Sequence, residues 1–214
     1  MLNKDKYNLP DIELLEQNVL GLTCHIWHPD RTYAVLGASN KAETSLKLSN
    51  LKKDEVVVMQ RPSGGEAVLL TPNTLTISFL YRGEEKVIPK KFFYEMNTLI
   101  IEALLAIGVA NLSIRGISDI CIGEKKILGC AIYRTGDGIF YQSVLNVAEN
   151  PELFSRYLKH PEREPDYRKG RDHREFVTSL RAEGLELDID IIQEEIKIYL
   201  KNKIGGFNAI STDA

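Results

Sequence analysis

Two segments bring together residue types able to do chemistry. The first, Arg61-Pro62-Ser63-Gly64-Gly65-Glu66-Ala67-Val68, runs from one apolar stretch into another. Paired glycines let backbone N–H groups approach a ligand without interference from a Cβ, and such a concavity binds anions. Arg61 adds a forked donor suited to phosphate or carboxylate. The same residues also suit a plain hairpin turn, and the GxxxxGK[ST] and GxGxxG spacings are absent. The second segment is Gly116-Ile117-Ser118-Asp119-Ile120, followed by Lys126-Ile127-Leu128-Gly129-Cys130-Ala131. Lys126 opens an apolar run, so its ammonium points either to water or into a pocket, where it would neutralise developing negative charge. Gly129, Cys130 and Ala131 keep side chains small where a ligand needs room. Cys130 reads as a buried small hydrophobe or, with a base close in space, as a nucleophile.

Other chemistries lose support. His25 and His28 flank Trp27 without metal-ligand spacing, and HExxH, GxSxG and paired-carboxylate signatures are missing, so no metal site is expected. His160 and His173 fall in a stretch, 159–175, in which 11 of 17 residues are charged. It reads as a solvated loop, or as a lid whose Arg163, Arg168, Arg171 and Arg174 meet an anion. With 27 Lys+Arg against 30 Asp+Glu, the net charge of −3 argues against a nucleic-acid or membrane-surface partner. The N-terminus lacks an apolar stretch for a leader or a membrane span. Three scattered cysteines without CxxC pairing point to a reducing, cytoplasmic setting.

The elements that must position these residues read as α+β, with helices laid on mostly antiparallel sheet. Helices are expected at 11–20, 42–48 and 91–107, the last stopped by Gly108, and after Asp188, whose carboxylate can cap. Strands are expected at 22–27, 33–36, 55–60, 67–70, 75–81, 117–122, 126–134 and 139–147.

The order Val35-Leu36-Gly37-Ala38-Ser39-Asn40, then the RPSGG-x-AV loop, then Gly116–Ile120, then the K-[IL]-x-G-x-A strand at Lys126–Ala131, resembles one family. It is the catalytic domain shared by lipoate–protein ligases, octanoyltransferases and, more distantly, biotin–protein ligases. The resemblance covers roughly residues 20 to 180 and implies a mixed, mostly antiparallel sheet flanked by helices, with a smaller second sheet. It implies that Arg61, Ser63, Gly64, Gly65, Ala67 and Val68 line an acyl-adenylate site, joined by Ser118, Gly129, Cys130 and Ala131. Lys126 would contact the acyl carbonyl and phosphate, and Asp119 would lie near the acceptor's reacting lysine. The implied substrates are lipoate or octanoate with ATP and Mg2+, giving lipoyl-AMP. The implied acceptor is a lipoyl-carrier domain of the 2-oxoacid dehydrogenase E2 or glycine-cleavage H type.

The pattern also departs from the family. Gln60 stands for the first of two arginines, Glu66 for a third glycine, Ile117-Ser118 for Arg-Asn, and Tyr141-Gln142 for His-Gly. Residues 1–214 read as one catalytic domain without a C-terminal accessory domain, which a separate chain would then supply. Three readings follow: a ligase, an ATP-independent transferase recruiting Cys130 as its thioester nucleophile, and a non-catalytic acyl-binding module.

Overall fold

A computed structural model describes residues 4–84 and 86–204; the ends read above for a leader and for a further domain lie partly outside them. Along the chain run β1 (Asp5–Lys6), a 3-10 turn (Pro10–Glu16), β2 (Gly21–Trp27), β3 (Tyr33–Leu36), α1 (Ala42–Ser45), α2 (Leu48–Lys53), β4 (Val57–Gln60), β5 (Val68–Leu70) and β6 (Thr74–Arg82). Then come α3 (Pro89–Ala106), β7 (Leu112–Arg115), β8 (Asp119–Ile122), β9 (Lys125–Arg134), β10 (Gly138–Asn146), α4 (Pro151–Tyr157), a 3-10 turn (Asp166–Arg168), α5 (His173–Phe176) and α6 (Ile189–Ile204).

The fold is α+β. Six antiparallel strands form the larger sheet in the order β2-β6-β10-β9-β8-β7, and four form a smaller sheet, β1-β4-β3-β5. Among the described strands the parallel pairs are β1–β4 and β3–β4, both in the smaller sheet, and a single parallel bridge joins Lys126 of β9 to Val177. The turn at Thr71–Asn73 joins β5 to β6 across the two sheets rather than closing a hairpin. Thr74 Oγ1 accepts from the Thr71 N–H and donates to its carbonyl, both at 2.9 Å, which fixes that crossing.

Strand alternation divides the labour of each sheet. On one face of the larger sheet Ile26, Ile77, Phe79, Tyr141 and Leu145 pack under α3 and α6, which contribute Phe92, Met96, Ile100, Ile192, Ile196 and Leu200. Gly108 at φ +91° ends α3: its N–H reaches the Leu105 carbonyl and the Val109 N–H the Leu104 carbonyl, both at 3.0 Å. Asp188 caps α6 through the Asp190 N–H at 2.9 Å. In the smaller sheet Ala34, Leu36, Val58 and Leu69 pack outward on α2 and α4, while Tyr33, Val35, Met59 and Leu70 turn inward towards Trp27. The space between the two inner faces holds the site.

Three expectations need correction. The helix expected at 11–20 is the short 3-10 turn, because Asp11, fully buried, is drawn into the interior by distant partners while Leu20 is exposed. The helix at 42–48 is split in two where Leu46 bridges Leu158. Strand β7 had no expected counterpart; it adds an edge beside β8.

Candidate active site

The pairing of β6, β10, β9 and β8 sets Thr76, Val144, Gly129 and Asp119 in one row across the inner face, with Ser78, Gln142 and Ala131 in the next. Directly opposed residues share a face, so this side of the sheet is largely polar. Between it and the smaller sheet lies a cleft of about 1060 Å3, walled by Lys126, Asp119, Gly129, Ala131, Gly65, Ala67, Val68 and the 159–168 segment.

Lys126 owes its direction to a β-bulge. Ile120 pairs with Leu128 and Cys121 with Lys126, leaving Ile127 as an extra residue on β9. Without it, alternation would put Lys126 on the helix side with Leu128 and Cys130; the bulge re-aims it into the cleft. Ile127 and Leu128 both enter the helix-side core instead. The Lys126 ammonium then lies over Gly129, where a Cβ would sit 2.5 Å from its Nζ, and pairs with Asp119 Oδ1 at 2.7 Å. The Thr178 N–H secures the Lys126 carbonyl at 2.9 Å.

Asp119 is held from its other side by the Tyr167 hydroxyl, which donates to Oδ2 at 2.7 Å. Burial and the Asp119 charge raise the Tyr167 phenol well above its ordinary value, so it stays a proton donor. Its ring packs on Phe176, with the Arg115 guanidinium over its face. Sequence reasoning missed Tyr167; an aromatic within a charged run was the one available signal.

The Ser63-Gly64-Gly65 loop is clamped to the end of β3. Ala38 N–H donates to the Ser63 carbonyl at 2.9 Å, Arg61 N–H to the Leu36 carbonyl at 3.0 Å, and Gly37 abuts the Gly65 carbonyl so closely that no Cβ fits. Gly65 adopts φ +84°, a conformation suited to glycine. Arg61, expected to offer a free fork to an anion, is buried and spends Nη2 on the Gly64 and Glu66 carbonyls at 2.8 and 2.9 Å. Burial pulls its guanidinium down to about 10. It borders the cleft, and its fork is spent on shaping the loop.

Ser63 and Gly64 are outside the cleft wall. The Ser63 hydroxyl donates to Gln142 Oε1 at 2.7 Å, and Gln142 Nε2 donates to Asp11 Oδ2 at 2.9 Å. Asp11 also accepts from Tyr7 and Ser78, each at 2.7 Å. Burial raises the Asp11 carboxyl, and these hydrogen bonds from Gln142, Tyr7 and Ser78 oppose that shift. The network ties loop, sheet and N-terminal turn together.

Glu66 turns to the 159–168 segment. Burial and neighbouring Glu162 raise its carboxyl, while the Arg163 backbone N–H and the Arg163 and Arg61 charges pull it back. Of the arginines expected to face an anion, Arg163 and Arg168 line the cleft, and Arg168 Nη2 is buried without a partner among the described residues. Arg168 stacks on Phe176 at 4.6 Å, Arg171 donates to the Tyr167 and Arg168 carbonyls, and Arg174 pairs with Asp172 at 2.6 Å. The segment is a packed wall of the cleft.

Ser118 and Cys130 complete the expected set, and both belong to the cleft wall, although the Cys130 thiol is turned from it. Alternation places its thiol on the helix side, where Sγ meets the Ser118 carbonyl at 2.9 Å and Asn97 Oδ1 at 3.5 Å. Burial pushes that thiol up to about 12, so it is no thiolate near neutral pH.

Relatives agree with this architecture. Residues 13–201 match the lipoyl protein ligase A/B catalytic domain. Lipoate-protein ligase A of Psychrobacter cryohalolentis is 32% identical over 141 residues, taking in 65% of this chain and 39% of that protein's length. A bi-partite lipoate protein ligase from Thermoplasma acidophilum, solved in a study that includes its E2 lipoyl domain, superposes with a TM-score of 0.75 at 18% identity, over 89% of this chain and 75% of that one. A lipoate-protein ligase A bound with ATP gives 0.73 at 20% identity, over 89% and 77%. The chain thus belongs to the lipoyl protein ligase A/B catalytic-domain family.

Proposed function

We propose that this chain is the catalytic unit of a lipoate–protein ligase, acting in the cytoplasm and served by a separate accessory chain. One arrangement carries the reading: Lys126, paired with Asp119 over Gly129, faces the cleft, whereas Cys130, although its residue borders the cleft, turns its thiol to the Ser118 carbonyl and Asn97. A cationic centre without a usable nucleophile suits activation by an external phosphoanhydride better than a thioester relay.

The lipoate carboxylate attacks the α-phosphate of ATP, forming lipoyl-AMP and expelling pyrophosphate. The amine of a carrier-domain lysine then attacks the acyl carbonyl, forming the amide, losing a proton and expelling AMP. Lys126 stabilises charge on the carbonyl oxygen and phosphate, and the Gly65 loop orients the adenylate; both act by preorganisation. Mg2+ bound with the nucleotide would supply neutralisation of phosphate charge, held by those phosphates rather than by a cluster of this chain's described residues. An E2-type lipoyl domain is the acceptor in this reading, supported by the Thermoplasma system. The three free cysteines, Cys24, Cys121 and Cys130, suit a reducing compartment. Among the described residues no helix is long and apolar enough to cross a membrane.

The test is incubation with lipoate, ATP and Mg2+, with and without a lipoyl-carrier domain, read by mass spectrometry. Lipoyl-AMP and a lipoylated carrier lysine are expected, and both should disappear in Lys126→Ala. A carrier-dependent acyl adduct on Cys130 without adenylate would overturn the reading in favour of a transferase.

A further inference from the structure

The cleft runs across β8, β9, β10 and β6 and stops there: no residue of β2, the next strand, belongs to its wall. At that end stands Thr76. It is 2% exposed, lies in the cleft wall, and its Oγ1 has no hydrogen-bond partner among the described residues. A buried hydroxyl left unmatched is costly, so this one is set to meet something that enters the cleft. Directly opposite on β2, Trp27 has its indole Nε1 buried and likewise without a partner among the described residues. The other polar side chains near this end are satisfied: Thr74 within its turn, and Asn146 through Glu149 and Thr178.

The row of the sheet fixes how far Thr76 is from the lysine. Gly129, beneath the Lys126 ammonium, and Thr76 are separated by β10 alone. Two strand spacings amount to about 10 Å. A medium-chain acid whose carboxyl lies at Lys126 uses about 3 Å for the charge-assisted contact. Four methylenes, at single bonds of ~1.5 Å, carry a terminal ring carbon about 6 Å further. The sulfurs of a dithiolane ring would then reach Thr76, as would the terminal methyl of an eight-carbon chain.

We infer that Thr76 is a specificity-determining residue, whose hydroxyl donates to the sulfur-bearing end of the acyl chain and so favours lipoate over octanoate. This rests on the reading that the cleft holds such an acid. Sulfur is a weak acceptor but an acceptor; a methyl group leaves the hydroxyl unmatched.

Trp27 is the single tryptophan of the chain, so its emission reports occupancy of that end without reference to turnover. Fluorescence titrations with lipoate and octanoate are compared for the native chain, Thr76→Val and Thr76→Ser. The native chain binds lipoate the tighter. Thr76→Val narrows the lipoate/octanoate ratio roughly 5-fold, the scale of one modest hydrogen bond, and Thr76→Ser retains it. Thr76→Ala, which also lacks the hydroxyl, narrows the ratio likewise if the valine variant does not fold. If both acids bind and the ratio is unchanged in Thr76→Val, the inference is overturned and the acid-binding reading stands. If the native chain binds neither acid, both are overturned.

Discussion

Gly129→Ala is the sharpest probe of the site, because its structural cost falls on one side chain. The new Cβ would lie 2.5 Å from Lys126 Nζ, 2.6 Å from Cε and 3.7 Å from Asp119 Oδ1, with no backbone atom among those contacts. Ordinary contact begins at 3.4 Å, so the ammonium must retreat about 0.9 Å. The tip of a lysine can make that move, and the fold therefore survives. Destabilisation should stay below about 1 kcal/mol, a melting shift of no more than about 4 °C for a chain of this size. The 2.7 Å pair with Asp119, however, cannot keep its geometry. A misplacement of about 1 Å at a catalytic group costs roughly 100-fold in rate, equivalent to about 2.7 kcal/mol of barrier.

Single-turnover formation of lipoyl-AMP from saturating lipoate and ATP is the assay, because it isolates chemistry from product release. The measurement is made in four backgrounds: native, Gly129→Ala, Lys126→Ala and the double variant. If the alanine methyl acts only by displacing Lys126, adding it to Lys126→Ala should change little, and the two effects will be strongly non-additive. An equal further loss in the double variant would refute the reasoning, showing that Gly129 makes room for substrate rather than for lysine. Retention of the native rate in Gly129→Ala would refute it more simply, since the position of Lys126 would then not matter.

Gly37→Ala drives a Cβ into the Gly65 carbonyl, a backbone atom that cannot yield cheaply; overpacking of this kind costs about 1–3 kcal/mol. Urea denaturation should show that loss, and activity should fall with it because the Gly65 loop is displaced. Cys130→Ala should lower turnover less than about 3-fold, since it removes a half-buried, hydrogen-bonded thiol and no nucleophile; complete loss in the mass-spectrometric assay would revive the thioester route. His25 is 4% exposed, its Nε2 has no partner among the described residues, and burial, with the Lys197 charge, lowers it to about 4. The unfolded chain, titrating near 6.5, binds the extra proton between those values, so His25's contribution is intact above pH 6.5 and lost as pH falls towards 4. At pH 5 the loss is about 2 kcal/mol, and His25→Gln should lose that much less than the native chain between pH 7 and pH 5, as measured by urea titration. An unchanged pH dependence would mean that the buried ring carries its proton at no cost.

The sequence disclosed most where signals were local. The apolar-rich runs expected as strands at 33–36 and 139–147, the periodic apolar residues of α3 with Gly108 behind them, and Asp188 before α6 each carry their own physics, and each forms the expected element. The pieces that went unread depend on partners far along the chain. Asp11 is buried by Ser78 and Gln142, 67 and 131 residues away, so the segment looked like an exposed helix start. Tyr167 acquires meaning only by reaching Asp119 across 48 residues. Arg61 looked like an anion donor because its type and place allow it, but the carbonyls that occupy its fork belong to a loop conformation that composition does not reveal.

The direction of Lys126 shows most clearly why spacing alone was insufficient. In a regular strand, residues three apart face opposite sides, so the lysine and glycine of the K-x-x-G pattern should be separated by the sheet. The extra residue, Ile127, changes the count. It sends two consecutive apolar side chains, Ile127 and Leu128, into the core beneath α3, and the burial of both holds the bulge in place. Lys126 and Gly129 consequently share the cleft face, and the absent Cβ becomes the space that the ammonium occupies. The same parity leaves Cys130 behind the sheet. The inserted residue therefore decides that a cation faces the cleft, while the regular alternation beyond it keeps the Cys130 thiol on the helix side. In the proposed reading, that pairing of faces is the chemical difference between activating an acid with ATP and passing it along as a thioester.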